Sequence, residues 1–356
     1  MWALPPIGVS AGSGKLGVGS GNELGVELSG LHQCVRRAVR KHALCPPGAR
    51  LLVALSGGSD SVALTHVLLD LAEHGGFAVA ALAHLNHRLR PSADRDEAFC
   101  RQFADRLGLG IVVEAVDVLT VARAGVFSVE DAARRVRYDF LGRTASDIGA
   151  DRIAVGHTQD DQAETFLLKL MRGAGLTGLA GIYPRRGQVI RPLLDVPRAE
   201  LRQYLRSKGE MWVEDETNED LDNPRNRIRH RVLPELDRAA GGPTRAAIAR
   251  AAGLIRDDGQ WLDEVAAERL GRLLVESEAG LELDVASLVD VPLPILRRMV
   301  LRAMRKAGPA REIGSEHVDA VLALLGGLQG AVDVPGSRVE LRGEQLVFTE
   351  QRTAVR

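Results

Sequence analysis

Between residues 51 and 172 short apolar runs alternate with amphipathic stretches, and that alternation leaves few folds open. The runs are 51–55 (LLVAL), 77–85 (FAVAALAHL), 110–116 (GIVVEAV) and 152–156 (RIAVG). Helical spacing falls between and after them, over about 60–73, 94–107, 128–148 and 160–172. Strands that are apolar throughout are buried on both faces, and the intervening helices supply the cover. The expected class is therefore α/β, a doubly wound and mostly parallel sheet. Ligands of such sheets bind beyond the carboxyl ends of the strands, where the strand order reverses.

The flanking segments read differently. Leu24, Leu28, Leu31, Val35 and Val39 recur at helical spacing over 24–43, and Pro46 and Pro47 end that helix. Residues 1–22 are rich in Gly, Pro and Ser and are expected to form a flexible tail. Their segment GSGKLG, Gly12 to Gly17, fails as a Walker loop. Val9 stands where the first glycine belongs, Leu16 replaces the hydroxyl residue, and no strand precedes it. Past 186 the pattern changes: 191–205 reads as an extended piece, then a helix starting near Pro197. Helices are expected over 243–275, 294–307 and 315–326, and a hairpin over 331–349 around Pro335-Gly336 and Gly343. Gly241, Gly242 and Pro243 break the chain, so the expected units are 1–22, 23–240 and a smaller α+β domain over 241–356.

Composition narrows the function. With 45% hydrophobic and 26% charged residues, the chain suits a soluble globular enzyme. A formal net charge of -1 excludes a global positive field, so any RNA contact needs a local basic patch. The 41 Arg against 5 Lys run through the whole chain, which points to compositional bias more than to a nucleic-acid stripe. Cys34, Cys45 and Cys100 form no CxxC pair and stand beside no His cluster, which argues against disulfides and a zinc site. No apolar run is long enough for a membrane span and no signal peptide is evident, so a cytoplasmic location is expected.

Three segments carry chemistry. Ser56-Gly57-Gly58-Ser59-Asp60-Ser61 follows an apolar strand and opens a helix. Paired glycines permit a tight turn and close approach of a ligand, while hydroxyls, backbone N–H groups and the helix N-terminus suit pyrophosphate oxygens. Asp60 is better placed to hold Mg²⁺ against phosphate than to touch phosphate itself. The second segment runs from Gly156 to Thr165 (GHTQDDQAET) after the fourth strand. Asp161 and Glu164 are three apart and share a helix face, an acidic pocket suited to an ammonium group or a metal, with His157 beside it. Acidic residues favouring a helix N-terminus would explain the carboxylates alone, but not His157 or the pairing. The third is Asp215-Glu216-Thr217-Asn218 followed by Asn223-Pro224-Arg225-Asn226-Arg227-Ile228-Arg229-His230-Arg231-Val232-Leu233-Pro234. A bland charged run is usually a solvated loop. Here interleaved Asn, His and apolar residues accompany Arg225, Arg227, Arg229 and Arg231, which could clamp phosphates of ATP or of an RNA backbone.

The first segment resembles the SGGxDS pyrophosphate loop of the N-type ATP pyrophosphatases, a Rossmann-like family that transfers AMP to an oxygen and releases pyrophosphate. The second and third resemble the lysidine synthetases within it, the third through the signature D-x-[ST]-N … R-N-x-x-R-H-x-V-L-P. His84 to Arg90 (HLNHRLR) is similar to that family's H-x-N-H-x-L-R, and Glu130, Arg134, Arg137 and Tyr138 to its E-x-x-A-R-x-x-R-Y helix. The resemblance covers about 31–234 closely and 243–350 weakly. It implies ATP and Mg²⁺ as cofactors and ligation of L-lysine to C2 of the wobble cytidine in tRNA(Ile) with a CAU anticodon. It also implies Asp161 and Glu164 as the lysine site, His157 near the reacting phosphate, and Arg225 and Arg229 on ATP or tRNA. His84 would join the ATP site, and Arg90, Arg134, Arg137, Arg172, Arg227 and Arg231 would meet tRNA. Relatives of this kind are often dimers, which makes a homodimer a candidate assembly. The rival readings are an RNA thiolase, a standalone ammonia-dependent ligase, and an RNA-binding protein without catalysis. Thiolation needs paired or clustered cysteines, and none of the three cysteines has such neighbours.

Overall fold

A computed structural model describes residues 30–89, 92–214, 220–308, 313–326 and 330–351. The tail at 1–22, Arg90 and the Asp215–Asn218 motif lie outside the described residues.

The first part of the chain runs α1 (Gly30–Lys41), β1 (Ala49–Ala54), α2 (Ser59–Gly75), β2 (Phe77–Asn86), α3 (Ala93–Arg106) and β3 (Ile111–Ala115). It continues with α4 (Val118–Gly125), α5 (Val129–Asp147), β4 (Arg152–Ala154), α6 (Gln159–Leu170), α7 (Leu176–Leu179), β5 (Arg185–Arg186), β6 (Val189–Ile190) and α8 (Arg198–Ser207). The strand order is β3-β2-β1-β4-β6-β5, parallel except for β5 against β6. The chain moves outward from β1 through β2 to β3, then returns to β4 on the other side of β1. The order therefore reverses between β1 and β4, and the carboxyl ends there form the crevice expected from the sequence.

Burial follows the two-residue strand period. Leu51, Val53 and Leu55 join the core shared with α1, α2, α3 and α8. Leu52 points the other way, into a core with Ala81, Ala83, Phe140, Leu141 and Ile153. The expected doubly wound sheet is thus present, with helices over both faces.

Several elements differ from the sequence reading. Asp117 accepts hydrogen bonds from Leu119 N (3.1 Å) and Thr120 N (3.3 Å) and starts α4, a helix not expected there. The strands β5 and β6 are only two residues each, too short for a periodic signal. The hairpin expected over 331–349 is part of a larger sheet.

The rest of the chain is α9 (Pro224–Arg227), a π-helical turn (Ile228–Val232), α10 (Leu233–Ala240), α11 (Arg245–Leu273), β7 (Val275–Ser277), β8 (Gly280–Asp284), α12 (Leu293–Ala307), α13 (Ser315–Leu325), β9 (Ala331–Val334), β10 (Ser337–Arg342) and β11 (Gln345–Glu350). The last strands form an antiparallel five-stranded sheet in the order β7-β8-β11-β10-β9. Helices cover one face of it. Met299, Val300, Ala303 and Met304 of α12 and Val321 of α13 pack on Leu283, Val339, Leu346 and Phe348. This is the smaller C-terminal α+β domain. The long helix α11 belongs to both packings: Ile248 near its start packs on the α6–α10 cluster, while Ala266 and Leu270 enter the C-terminal core. No helix among the described residues is long and apolar enough to cross a membrane.

Candidate functional site

The Ser56–Ser61 loop leaves β1 at the reversal point and opens α2. Gly57 has φ +86°, a left-handed conformation that glycine adopts without penalty. A Cβ there would also lie 3.3 Å from both Cys100 Sγ and Val213 Cγ2. The hydroxyls brace the turn: Ser61 Oγ donates to Gly58 O at 3.0 Å and accepts from Ser56 N at 3.1 Å. No side chain caps the N-terminus of α2, so its N–H groups suit the oxygens of an anionic ligand. From β2, His84 Nδ1 donates to Leu55 O at 2.9 Å, which places this buried histidine as a strut beneath the loop. Asn86 donates to Asp94 (3.1 Å) and Glu97 (3.2 Å), tying β2 to α3.

On the other side of the crevice, Thr158 and Asp161 cap α6 reciprocally. Asp161 Oδ2 accepts from Thr158 N at 2.8 Å, and Thr158 Oγ1 accepts from Asp161 N at 3.4 Å. Gly156 lets the two halves meet, since a Cβ there would stand 3.2 Å from the backbone of Asp60 and Ser61. The helix-cap reading of this segment holds without using up the carboxylate: Oδ2 of Asp161 serves the cap, and Oδ1 meets Arg198 and Arg225.

Three carboxylates and three guanidiniums meet there. Arg198 Nε lies 2.8 Å from Asp60 Oδ2, and its Nη2 3.2 Å from Asp161 Oδ1. Arg225 reaches Glu164 (2.7 Å) and Asp161 (3.3 Å), and Arg229 reaches Glu164 (2.7 Å). Glu164 has no exposed surface, a burial that a carboxylate tolerates only when paired in this way. Burial favours the neutral Asp161, but Arg198 and Arg225 outweigh it and hold the carboxyl at about 2. Burial raises the Asp60 carboxyl above its ordinary range, opposed by Arg198 and reinforced by Asp161. His157 is pushed down to about 4, first by burial and then by Arg191, Arg225 and Arg137, with Asp161 opposing. Its ring is therefore neutral near pH 7, and the buried Nδ1 has no hydrogen-bond partner among the described residues.

The arginines assigned to RNA are spread more widely. Arg134 stacks over the Tyr138 ring at 4.9 Å, and Arg137 is exposed on the same helix. Arg172 and Arg231 are exposed. Arg227 turns back onto its own loop and donates to Leu221 O and Asp222 O, both at 2.8 Å.

Sequence reasoning passed over Arg198. The signal lay in its position: a cation in the first turn of a helix opposes the helix dipole, so an arginine directly after Pro197 needs another reason to be there. Arg191 was also missed. It is buried at the end of β6 and donates to Tyr183 O (2.8 Å) and Tyr138 Oη (3.4 Å).

The reversed parallel sheet, the glycine loop on β1 and the facing acidic helix define a PP-loop protein, and a family model described as a PP-loop domain matches residues 31–236. A tRNA(Ile)-lysidine synthase of Geobacter sulfurreducens is 38% identical over 318 residues, covering 88% of this chain and 66% of the relative. One of Chlorobaculum tepidum is 35% identical over 311 residues, covering 85% of this chain and 91% of the relative. The chain belongs to the tRNA(Ile)-lysidine synthase family. Among solved structures, the U34-tRNA thiolase NcsA of Methanococcus maripaludis with its 4Fe-4S cluster shares the fold. Its TM-score is 0.53 at 16% identity, over 63% of this chain and 78% of that one.

Proposed function

We propose that the protein ligates L-lysine to C2 of the wobble cytidine of tRNA(Ile) bearing a CAU anticodon, with ATP converted to AMP and pyrophosphate. The observation that carries this reading is the joining of the loop carboxylate Asp60 to the acidic pair Asp161 and Glu164 across one crevice. A phosphate cradle and a cation pocket then lie side by side, as an ATP-driven amine ligation requires.

Ser56, Gly57, Gly58, Ser59 and Ser61 hold the pyrophosphate part of ATP, with Arg225 and Arg229 as phosphate ligands and His84 steadying the loop from below. Asp60 would hold Mg²⁺, a cation that binds through one or two carboxylates plus substrate phosphates. Mg²⁺ would neutralise charge on the leaving pyrophosphate. The C2 oxygen of the cytidine displaces pyrophosphate from the α-phosphate, giving the adenylated cytidine. The neutral ε-amine of lysine, positioned by Asp161 and Glu164, then attacks C2. The C2–O bond breaks, AMP leaves with that oxygen, and the amine gives up a proton. His157, whose buried Nδ1 has no hydrogen-bond partner among the described residues, is the candidate acceptor. The burial that holds its ring at about 4 makes it a weak base until the site is filled. Most of the rate enhancement would come from positioning and charge stabilisation.

Arg134, Arg137, Arg172 and Arg231 supply the local basic contacts for RNA. The proposed division assigns catalysis to residues 23–240 and a further tRNA contact to 241–356. Sulfur transfer is less well supported, because burial pushes the thiols of Cys45 and Cys100 up to about 11 and about 12 and keeps them protonated. The test is AMP formation from ATP with a tRNA(Ile) transcript, with and without lysine. RNA-dependent AMP release that lysine accelerates supports the reading. AMP release without RNA argues for a small-molecule ligase.

A further inference from the structure

Arg198 has no part in the roles set out above, yet it is the group that physically connects them. Its backbone N–H donates to Asp160 Oδ2 at 2.8 Å, which anchors the start of α8 whatever the side chain does. The guanidinium spans both proposed subsites: 2.8 Å to Asp60 on the loop, 3.2 Å to Asp161 and 3.8 Å to Glu164 on α6. A guanidinium has five donors in a rigid plane, no acceptor, and stays charged. It therefore competes with any other cation for the same carboxylates.

The competition is close to balanced by count. Asp161 and Glu164 together face Arg198, Arg225 and Arg229. An alkyl-ammonium brought to this pair adds positive charge where positive charge already suffices. It gains full ion pairing only if a guanidinium leaves. A triphosphate in the Ser56–Ser61 loop offers that guanidinium a better partner: it carries more negative charge than a carboxylate and can be gripped at two points, whereas Arg198 donates one hydrogen bond each to Asp60 and Asp161. Arg198 already touches the loop through Asp60, which sets its guanidinium at the border of the two proposed subsites.

We propose that Arg198 couples the two substrates: nucleotide phosphate draws its guanidinium away from Asp161 and Glu164, and the acid pair then accepts the amine. This rests on the reading of Asp161 and Glu164 as the lysine site. Lysine therefore binds tightly only after the nucleotide. By linkage, lysine must tighten nucleotide binding by the same factor.

The test is calorimetric titration of L-lysine into the full chain, with and without Mg²⁺ and the α,β-methylene analogue of ATP. It is made on the wild type, Arg198→Gln and Arg198→Lys. The wild type is expected to bind lysine about tenfold more tightly with the analogue, within the range of ordinary coupling energies. The reverse titration should give an equal factor. Arg198→Gln should bind lysine with nearly the same affinity in both conditions. Arg198→Lys keeps the charge but loses the planar fork, and should fall between. A purely structural Arg198 would weaken both ligands without changing that ratio. Lysine affinity indifferent to nucleotide in the wild type overturns the coupling alone, as does full coupling in Arg198→Gln. A wild type that binds the analogue but never lysine removes the amine site itself, and the coupling with it.

Discussion

Glu164 and Arg229 form a two-point pair in the interior: Nε donates to Oε1 at 2.7 Å and Nη2 to Oε2 at 3.2 Å. Arg225 Nε shares the second oxygen at 2.7 Å. Removing the charge of a buried carboxylate leaves its partners uncompensated, at a cost of about 3–5 kcal/mol. Glu164→Gln is therefore expected to lower unfolding stability by about that much, measured by urea denaturation. Replacing Glu164, Arg225 and Arg229 together by apolar residues of similar volume should recover much of the loss without recovering activity. A stable Glu164→Gln protein would mean that the cluster is not held as described.

Gly156 lets β4 approach the start of α2. An added methyl group would press on backbone atoms of Asp60 and Ser61 at 3.2 Å, and backbone cannot swing aside as a side chain can. Gly156→Ala is expected to cost about 1–3 kcal/mol and to lower kcat/KM for ATP. Unchanged steady-state kinetics would show that the spacing of loop and acidic helix is not critical.

Much of this was legible in the sequence, and the gaps have physical causes. The strands at 51–55, 77–85 and 152–156 declared themselves because both faces are buried. Asp161 and Glu164 were legible as a pair because helix geometry puts residues three apart on one face. Contacts between distant segments left no such mark. Arg198 meets Asp60 from 138 residues away, and nothing in local spacing encodes that. The pair β7–β8 was hidden for another reason: Val275–Ser277 is exposed along its length and shows no apolar alternation.

His157 makes stability depend on pH. The unfolded residue takes up its proton near 6.5, whereas burial and neighbouring arginines delay protonation in the folded protein to about 4. His87 is displaced to about 4 as well, chiefly by burial. Between these values the unfolded chain binds more protons, so stability rises with pH there and is lost as pH falls from 6.5 towards 4. The loss assigned to His157 should be about 1–3 kcal/mol. Urea midpoints between pH 7 and pH 5 should fall less steeply in His157→Asn than in the wild type. Parallel curves would show that His157 does not titrate in this window.

Arg137 is exposed on α5, beside the Arg134–Tyr138 stack. A phosphate contact there predicts that Arg137→Ala weakens binding of tRNA transcripts and lowers the slope of log affinity against log salt by about one. Filter binding across a salt series checks this. A weaker affinity with an unchanged slope would assign Arg137 to a base or to the protein interior.

In the proposed function, the crevice joins lysine to RNA at the expense of ATP. The most direct measurement is incorporation of radiolabelled lysine into an unmodified tRNA(Ile) transcript, with and without ATP. It is made on the wild type, on Asp60→Ala and on the Asp161→Asn, Glu164→Gln double variant. The expected result is label in RNA only with ATP and wild-type protein, and little or none with either variant. Label that enters RNA undiminished in the double variant would contradict the lysine site. No label from the wild type, with AMP still formed on the transcript, would contradict lysine as the nucleophile.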